Sequence, residues 1–271
     1  MRAIVLTSTM RRHQFVANTL ASRLEVAAVF QEEKAFQPLR YAQSPADEDV
    51  IQRHFALRDE SETEFFSEHD RVRAPSVQLP VGGCNDRTAV EEMRRLEPDV
   101  VLVFGTGLLH QTLIDAFPHR ILNIHLGLSP YYRGAGTNFW PLVNREPEYC
   151  GATIHFLDAG VDSGPMIVHV RPQMHEDDGP HEIGNKTIVS AASALADAAL
   201  ALNDGGVRSV EQSGGGRLYK RADFSAAAVK QLYANVADGM IGEYLHNRVA
   251  RDARLSLVRL EPVSAAERTA R

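Results

Sequence analysis

Three polar side chains between residues 123 and 162 are of types that together could carry out chemistry on a carbonyl group. Asn123 and His125 alternate with apolar Ile124, so a strand there would place both polar side chains on one face. Asp162 follows in a turn between two predicted strands. An amide can donate a hydrogen bond to a developing oxyanion, an imidazole can carry a proton, and a carboxylate can orient the charged imidazole. The three residues are compatible with acyl transfer, although the same types also cap strands and close turns.

The segments around these residues predict a rigid frame with an irregular loop. A proline and two glycines interrupt regular structure at residues 128–136, directly after the strand that carries His125. Loops that follow rigid strands are common positions for binding sites. Residues 151–157 and 166–168 are predicted strands, and the turn between them contains Asp162.

The order of apolar runs predicts the fold class. An apolar run at residues 3–6 is followed by a helical pattern, and this strand, turn and helix are typical of the start of a doubly wound sheet. Further strands are predicted at residues 26–30, 77–81 and 99–104, and a long amphipathic helix is predicted at 181–202. We therefore predict an α/β fold with a doubly wound, mostly parallel, Rossmann-like sheet.

The same pattern predicts how the chain is divided. A catalytic domain is expected at residues 1–203, with a helical insertion at about 31–75, and a small C-terminal helical extension is expected at residues 204–271. The insertion and the extension are candidate interfaces of a homodimer.

Composition disfavours several classes of partner. A net charge of −6 and an aromatic content of 7% suggest neither a nucleic-acid groove nor a basic membrane surface. Cys84 and Cys150 have no metal-site spacing and provide no disulfide framework, which is typical of a reducing cytosol. No apolar run approaches membrane length. We expect a cytoplasmic protein that binds no nucleic acid, no membrane and no metal.

The segment around these three polar residues resembles the folate-dependent formyltransferases, a family that includes glycinamide ribonucleotide, methionyl-tRNA and sugar-nucleotide formyltransferases. The resemblance is carried, in order, by Asn123-Ile-His125-Leu-Gly-Leu-Ser129-Pro130-Tyr-Tyr-Arg133-Gly134, by Gly151-Ala-Thr153, and by Asp158-Ala-Gly160-Val-Asp162-Ser-Gly164-Pro165. The residues after His125 depart from the family pattern, which predicts a loop shaped for a different acceptor.

The resemblance implies formyl transfer from N10-formyltetrahydrofolate to a primary amine. Asn123 and protonated His125 would then hold the oxyanion, and Asp162 would sustain the charged imidazole and relay protons through water to the leaving N10. The family mechanism requires neither a metal nor a covalent enzyme intermediate. Five residues match family positions that bind the cofactor: Gly107, Leu108, Leu109, Asp158 and Gly160.

Two further groups of residues are candidates for binding the substrate. Hydroxyl groups and positive charge after the first strand would suit an anion at a helix N-terminus, or would only cap the helix and meet solvent. This first group is Ser8, Arg11, Arg12 and His13. The second group is Tyr132 and Arg133, and Arg133 could hold an acidic group of the cofactor tail or the acceptor, or could brace the loop.

The acceptor implied by the resemblance is a small-molecule amine. The first turn lacks the glycines of the purine-pathway members, and the C-terminal segment is too short for the barrel of the tRNA members. The chain therefore looks most similar to the sugar-modifying members, which formylate a nucleotide-linked amino sugar. A hydroxyornithine-type amine, glycinamide ribonucleotide, hydrolysis of formyltetrahydrofolate, and a non-catalytic folate- or nucleotide-binding module stay open as alternatives.

Overall fold

A seven-stranded sheet forms the centre of the protein. The structure, a computed structural model, describes residues 1–35 and 37–263. The described strands are β1 (Arg2–Ser8), β2 (Glu25–Glu32), β3 (Ser76–Leu79), β4 (Val100–Val103), β5 (Ile121–His125), β6 (Tyr132–Gly134), β7 (Ala152–Phe156), β8 (Met166–Val170) and β9 (Arg217–Tyr219). The central sheet has the order β3-β2-β1-β4-β5-β7-β8, while β6 and β9 form a separate two-stranded sheet.

Helices cover both faces of this sheet. They are α1 (Arg11–Arg23), α2 (Pro45–Phe65), α3 (Arg87–Arg95), α4 (Gln111–Ala116), α5 (Trp140–Val143), α6 (Pro180–Asn203), α7 (Ala226–Ala237), α8 (Met240–His246) and α9 (Arg248–Asp252). Short 3-10 helices lie at Pro38–Tyr41, Gly83–Asn85, Pro147–Tyr149 and Arg221–Asp223. The pattern of strands and helices confirms the predicted doubly wound α/β fold.

The direction of the strands explains where the candidate site lies. Strands β3, β2, β1, β4 and β5 run parallel, whereas β5–β7 and β7–β8 are antiparallel pairs. The carboxyl ends of the parallel strands therefore share one edge, which is where open α/β sheets bind ligands. His125 is the last residue of β5 and lies at this edge.

Two apolar layers fix the sheet in place. One layer packs the faces of α1 and α6 against the sheet, and the other packs α3 and α4 against its opposite face. All four residues of β4 are buried, as expected for a central parallel strand covered on both sides. The inward face of α6 is rich in alanine, and small side chains allow a helix to approach a sheet closely.

Helix α2 connects the neighbouring parallel strands β2 and β3. Its N-terminus is capped by Ser44, whose hydroxyl accepts a hydrogen bond from the Asp47 backbone N–H at 3.2 Å, and Pro45 occupies the first turn. The segment that the sequence analysis treats as an insertion is therefore a crossover connection that belongs to the sheet itself.

The C-terminal segment packs against the sheet domain through a third apolar cluster, which joins Leu142 and Ile183 to Leu232, Ile241 and Tyr244. The helical character of this extension is confirmed, while the boundary at residues 203–204 stays a prediction. Residues 264–271 of the predicted extension lie outside the described residues. Within residues 1–35 and 37–263, no helix has the length and hydropathy needed to cross a bilayer.

Candidate active site

The end of β5 places Asn123 and His125 together, with exposed fractions of only 9% and 6%. The Nδ1 atom of His125 lies 3.1 Å from Oδ2 of Asp162. Its Nε2 atom is buried and has no hydrogen-bond partner in the described structure, and His125 lines a large cavity. One imidazole nitrogen is thus held by a carboxylate, and the other is left to bind a ligand.

Asp162 reaches His125 from the turn between β7 and β8. Its backbone φ is 51°, a left-handed value that is uncommon outside glycine and occurs mostly where surrounding contacts enforce it. Gln212 supplies such contacts, because its side-chain amide donates hydrogen bonds to the Asp162 and Gly164 carbonyls at 2.7 and 2.8 Å. The turn that carries Asp162 is therefore held by the C-terminal segment.

The pKa of the Asp162 carboxyl is lowered in the folded protein. Burial alone raises its pKa, but the hydrogen bond from His125 and the charge of His125 outweigh burial, so the pKa lies below the ordinary value for aspartate. Asp162 is therefore ionised near neutral pH, where its carboxylate can accept a hydrogen bond from Nδ1 of His125.

Asn123 is oriented by His155, which lies opposite it on β7. The Nδ1 atom of His155 is 2.8 Å from the Phe156 carbonyl oxygen, which can only accept, so Nδ1 carries the hydrogen. The His155 Nε2 atom then accepts the Asn123 Nδ2–H bond at 3.0 Å. Burial, followed by the proximity of His125, lowers the pKa of His155. A neutral His155 fixes the Asn123 amide, whose second N–H has no partner among the described residues, although Asn123 itself is not among the residues that line the cavity.

The contact between His155 and Asn123 is one that the sequence analysis missed, since nothing in the local pattern relates the two residues. The signal lies in the strand register, which pairs Asn123 with His155 and His125 with Thr153 across an antiparallel ladder. The 3.8 Å separation between His155 Nε2 and Asp162 Oδ1 is too long for a hydrogen bond and joins a neutral ring to a carboxylate, so we assign no ion pair there.

The cavity beside His125 has a volume of about 700 Å³. Six cationic and three acidic side chains line it, in a chain whose net charge is −6. The cationic residues are Arg12, Lys34, Arg40, Arg58, Lys220 and Arg221, and the acidic residues are Glu32, Glu33 and Glu62. Aromatic side chains, among them Phe55, Phe139 and Phe224, form much of the remaining wall. The cavity therefore suits a ligand that combines negative charge with ring faces.

The predicted cofactor loop follows β4. Gly107 lines the cavity, and its backbone N–H donates to the Glu32 carboxylate at 2.9 Å. A Cβ atom at position 107 would lie 2.8 Å from that carboxylate oxygen, so a side chain there would displace Glu32. Leu108 is 63% exposed and Leu109 is buried. The loop thus presents backbone groups and one exposed leucine.

The turn between β7 and β8 contains the other two predicted cofactor residues. The Asp158 carboxylate accepts hydrogen bonds from the Gly160 backbone N–H at 3.1 Å and from the Ser163 hydroxyl at 2.9 Å. These contacts close the turn around its own carboxylate and leave the backbone of Gly160 at the surface. Asp158 and Gly160 stay predicted cofactor residues, with a visible role in shaping the turn.

Only part of the predicted substrate-binding set meets the cavity. Arg12 and His13 line it, and Arg12 pairs with Glu62 at 2.5 Å. Burial, followed by the positive charge of Arg12, holds the pKa of His13 well below its usual range. Ser8, Arg11, Tyr132 and Arg133 are absent from the cavity wall that the described residues form. Ser8 is fully buried at the end of β1.

Tyr132 lies inside a polar network of its own. Its hydroxyl donates to the Glu146 carboxylate and accepts from Arg217 at 2.8 Å and from Asn144 at 2.9 Å. Burial, followed by the hydrogen bond to Glu146, raises the pKa of this hydroxyl. These contacts indicate that Tyr132 braces the loop, and Arg133 follows it on the short strand β6.

The described residues provide no group of three or more histidine, cysteine or acidic side chains that could hold a metal ion.

A pH-dependent stability measurement tests the Asp162 contact. Because the folded pKa is lowered, the ionised carboxylate stabilises the fold above the ordinary aspartate pKa of about 4, and this contribution disappears as pH falls through the folded pKa. The unfolding temperatures of the wild type and Asp162→Asn should therefore differ most at about pH 6 and should converge as the pH falls below about 4. A difference that stays constant over this range would contradict the assigned contact.

A protein family and several known proteins match parts of this chain. Residues 1–199 match the formyl transferase family. A methionyl-tRNA formyltransferase from Geobacter sulfurreducens is 46% identical over 81 residues, which cover 30% of this chain and 25% of that protein. Another from Solibacter usitatus is 31% identical over 172 residues, which cover 63% of this chain and 49% of that protein. The chain thus spans between a quarter and about half of the length of these relatives.

Solved structures share the fold at low sequence identity. A phosphoribosylglycinamide formyltransferase from Anaplasma phagocytophilum has a TM-score of 0.54 and 14% identity, covering 81% of this chain and 97% of that one. A sugar N-formyltransferase from a Shewanella species has a TM-score of 0.54 and 16% identity, covering 83% and 78% of the two chains. These structures establish the likeness of the fold, and the match over residues 1–199 shows that the chain belongs to the formyl transferase family.

Proposed function

We propose that this protein transfers the formyl group of N10-formyltetrahydrofolate to a primary amine. The observation that carries the proposal is the buried His125 imidazole, whose Nδ1 faces Asp162 at 3.1 Å while its Nε2 has no partner in the described structure and His125 itself lines a cavity. Formyl transferases use this folate as the formyl donor, and the geometry provides the groups that such a transfer requires.

In the proposed reaction the unprotonated amine attacks the formyl carbon and forms a tetrahedral intermediate. The oxyanion receives hydrogen bonds from the free N–H of Asn123 and from Nε2–H of protonated His125. The intermediate then collapses, breaking the bond from the formyl carbon to N10. The attacking nitrogen loses one proton and N10 gains one, and water near Asp162 carries the proton between them.

The charge of the cavity supports an anionic acceptor. Positive side chains outnumber carboxylates in its wall although the whole chain is negative, and such a local excess attracts phosphate groups. Its volume of about 700 Å³ lies in the range of pockets that bury ligands of drug size. A nucleotide-linked amino sugar combines phosphates, a ring base and a primary amine, so we propose it as the acceptor class.

Methionyl-tRNA is the second candidate acceptor, because the curated relatives carry that name. The matched segments cover at most about half of those proteins, and the net charge of −6 opposes binding of a polyanion outside a local basic surface. The small-molecule acceptor is therefore our first proposal.

One assay separates these acceptors. Release of tetrahydrofolate from N10-formyltetrahydrofolate is followed by absorbance with dTDP- and UDP-linked amino sugars, hydroxyornithine, glycinamide ribonucleotide, methionyl-tRNA, and water alone. Release that depends on an amino sugar supports the proposal. Release with methionyl-tRNA alone would replace the acceptor, release with water alone would indicate a hydrolase, and folate binding without release would indicate a binding module.

Substitution of the two β5 residues tests the chemistry. Asn123→Ala removes an oxyanion donor and should lower kcat about 10²- to 10³-fold. His125→Ala removes the charged donor and should lower it about 10²- to 10⁴-fold. Val249→Ala, at a side chain that is 89% exposed, is the control and should keep wild-type kcat. Near-normal turnover in either β5 variant would refute the mechanism.

Gln212 should act through the position of Asp162. Gln212→Ala removes both hydrogen bonds to the turn, and misplacement of the carboxylate should lower kcat about ten- to a hundredfold with little change in the KM of the acceptor. Gln52→Ala, at an exposed glutamine of α2, is the matched control. An unchanged kcat in Gln212→Ala would show that the turn holds itself.

Substitution of Arg221 tests whether positive charge in the cavity helps to bind the acceptor. Arg221 lines the cavity and is exposed, and it forms no ion pair with another described residue. Arg221→Glu should raise the KM of an amino-sugar nucleotide about tenfold, and the effect should shrink as salt increases. Arg95→Glu makes the same charge change on α3, outside the cavity wall. Equal effects of both variants would contradict a local phosphate contact.

A further inference from the structure

Two histidines and a tyrosine form a hydrogen-bonded chain in a part of the cavity that the proposed mechanism does not use. The Tyr233 hydroxyl lies 3.1 Å from Nδ1 of His54 and 3.0 Å from Nε2 of His181. Both histidines line the cavity. His54 belongs to α2, His181 to α6 and Tyr233 to α7, so three helices meet at this hydroxyl.

The number of hydrogens available limits the directions of these hydrogen bonds. A tyrosine hydroxyl has one hydrogen, so it donates to one histidine and accepts from the other. Two arrangements satisfy this count. In the first, Tyr233 accepts from Nδ1–H of His54 and donates to Nε2 of His181, which leaves a lone pair on Nε2 of His54. In the second, both bonds are reversed, which leaves an N–H at that nitrogen.

Either arrangement leaves Nε2 of His54 to bind a ligand. Burial lowers the pKa of His54 to about 3 and that of His181 to about 4, so both rings are neutral near pH 7. A neutral imidazole that donates through Nδ1 keeps a lone pair on Nε2. Among the described residues, none makes a hydrogen bond to that atom.

The aromatic surroundings of His54 indicate which ligand groups would bind best to a lone pair on Nε2. Aromatic rings surround it, with centroids at 5.0 Å for Phe55, 5.8 Å for Phe139 and 6.1 Å for Phe224. His54 is only 7% exposed. A polar acceptor in such apolar surroundings gains most from a ligand O–H or N–H and repels a phosphate oxygen, which is itself an acceptor.

We propose that Nδ1 of His54 donates to Tyr233 and that Nε2 of His54 accepts a hydrogen bond from a hydroxyl or amide N–H on the sugar of the acceptor substrate. Tyr233 and His181 are positioning residues that fix the tautomer of His54. The phosphates of the same ligand then bind among the exposed cations at Lys34, Arg40 and Arg221. This inference rests on the amino-sugar nucleotide as the acceptor class.

This hydrogen-bond network joins the region that matches the family to the C-terminal segment. Tyr233 lies beyond residues 1–199, which match the family, and so does Phe224, which packs against His54. The C-terminal segment therefore supplies both the hydroxyl that orients His54 and part of the apolar wall around it. Selection among sugars would then depend both on His54, which lies inside the matched region, and on residues beyond it.

Two substitutions at His54 separate its two nitrogens. The side-chain amide of asparagine reaches the position of Nδ1, whereas that of glutamine reaches the position of Nε2. His54→Asn should keep a partner for Tyr233 but lose the acceptor in the cavity, and His54→Gln should keep that acceptor. Tyr233→Phe frees the ring to change tautomer and should have an intermediate effect.

The full chain is titrated calorimetrically with dTDP- and UDP-linked 4-amino-4,6-dideoxyglucose. His54→Asn should bind the recognised probe about tenfold more weakly than the wild type, and His54→Gln within about threefold of it. The KM of N10-formyltetrahydrofolate should not change. Unfolding temperatures of all variants are compared, so that loss of fold is distinguished from loss of the contact.

The outcomes separate this inference from the proposed function. Wild-type affinity in His54→Asn would overturn the contact while leaving the acceptor class in place. Equal weakening in His54→Asn and His54→Gln would assign His54 a packing role and overturn the contact as well. A wild-type chain that binds neither probe would overturn the proposed acceptor class and this inference with it.

Discussion

The site depends on keeping the two nitrogens of His125 in different environments. Asp162 holds Nδ1 at 3.1 Å, and Nε2 is buried without a partner among the described residues. The sheet makes this possible, because β5 is parallel to β4 and antiparallel to β7. Opposite His125, the Thr153 hydroxyl donates to the Gly127 carbonyl at 2.6 Å and accepts from the Ser129 N–H at 2.9 Å, so the loop after β5 is fixed from the neighbouring strand.

The C-terminal segment contributes contacts that hold residues of the site in position. Gln212 holds the backbone of the Asp162 turn, and Tyr233 orients His54 on the cavity wall. The site therefore includes residues on both sides of the predicted boundary between a catalytic domain and an extension. A division into two domains describes the topology of the chain, whereas the hydrogen bonds at the site join the two parts.

The local sequence pattern was sufficient to predict the strands, because their apolar residues recur with a regular period. The alternation around Ile124 correctly paired Asn123 and His125, and the apolar runs located the parallel strands, because burial of one face leaves a period in the sequence. The link between Asp162 and His125 was suggested by the chemistry of the two side chains and was supported by the resemblance. Contacts that join distant segments left no such period: Tyr132 meets Glu146 and Arg217, and His54 meets Tyr233. A cytoplasmic location and a homodimer stay predictions from the sequence.

The distribution of charge within the cavity favours one orientation of a bound acceptor. Arg12 and Arg58 are partly buried, and both pair with Glu62, at 2.5 and 3.5 Å. Because buried Glu32 also lines the cavity, the interior has two carboxylates for two cations and carries little net charge. The exposed part of the cavity wall, its mouth, is positively charged. Its cations are Lys34, Arg40, Lys220 and Arg221. Phosphates are strongly hydrated and are stabilised best at that partly solvated mouth, because burying a charge costs far more than burying a hydrogen-bonded polar group. A ligand with phosphates at one end would therefore place them among these exposed cations and its uncharged end in the interior.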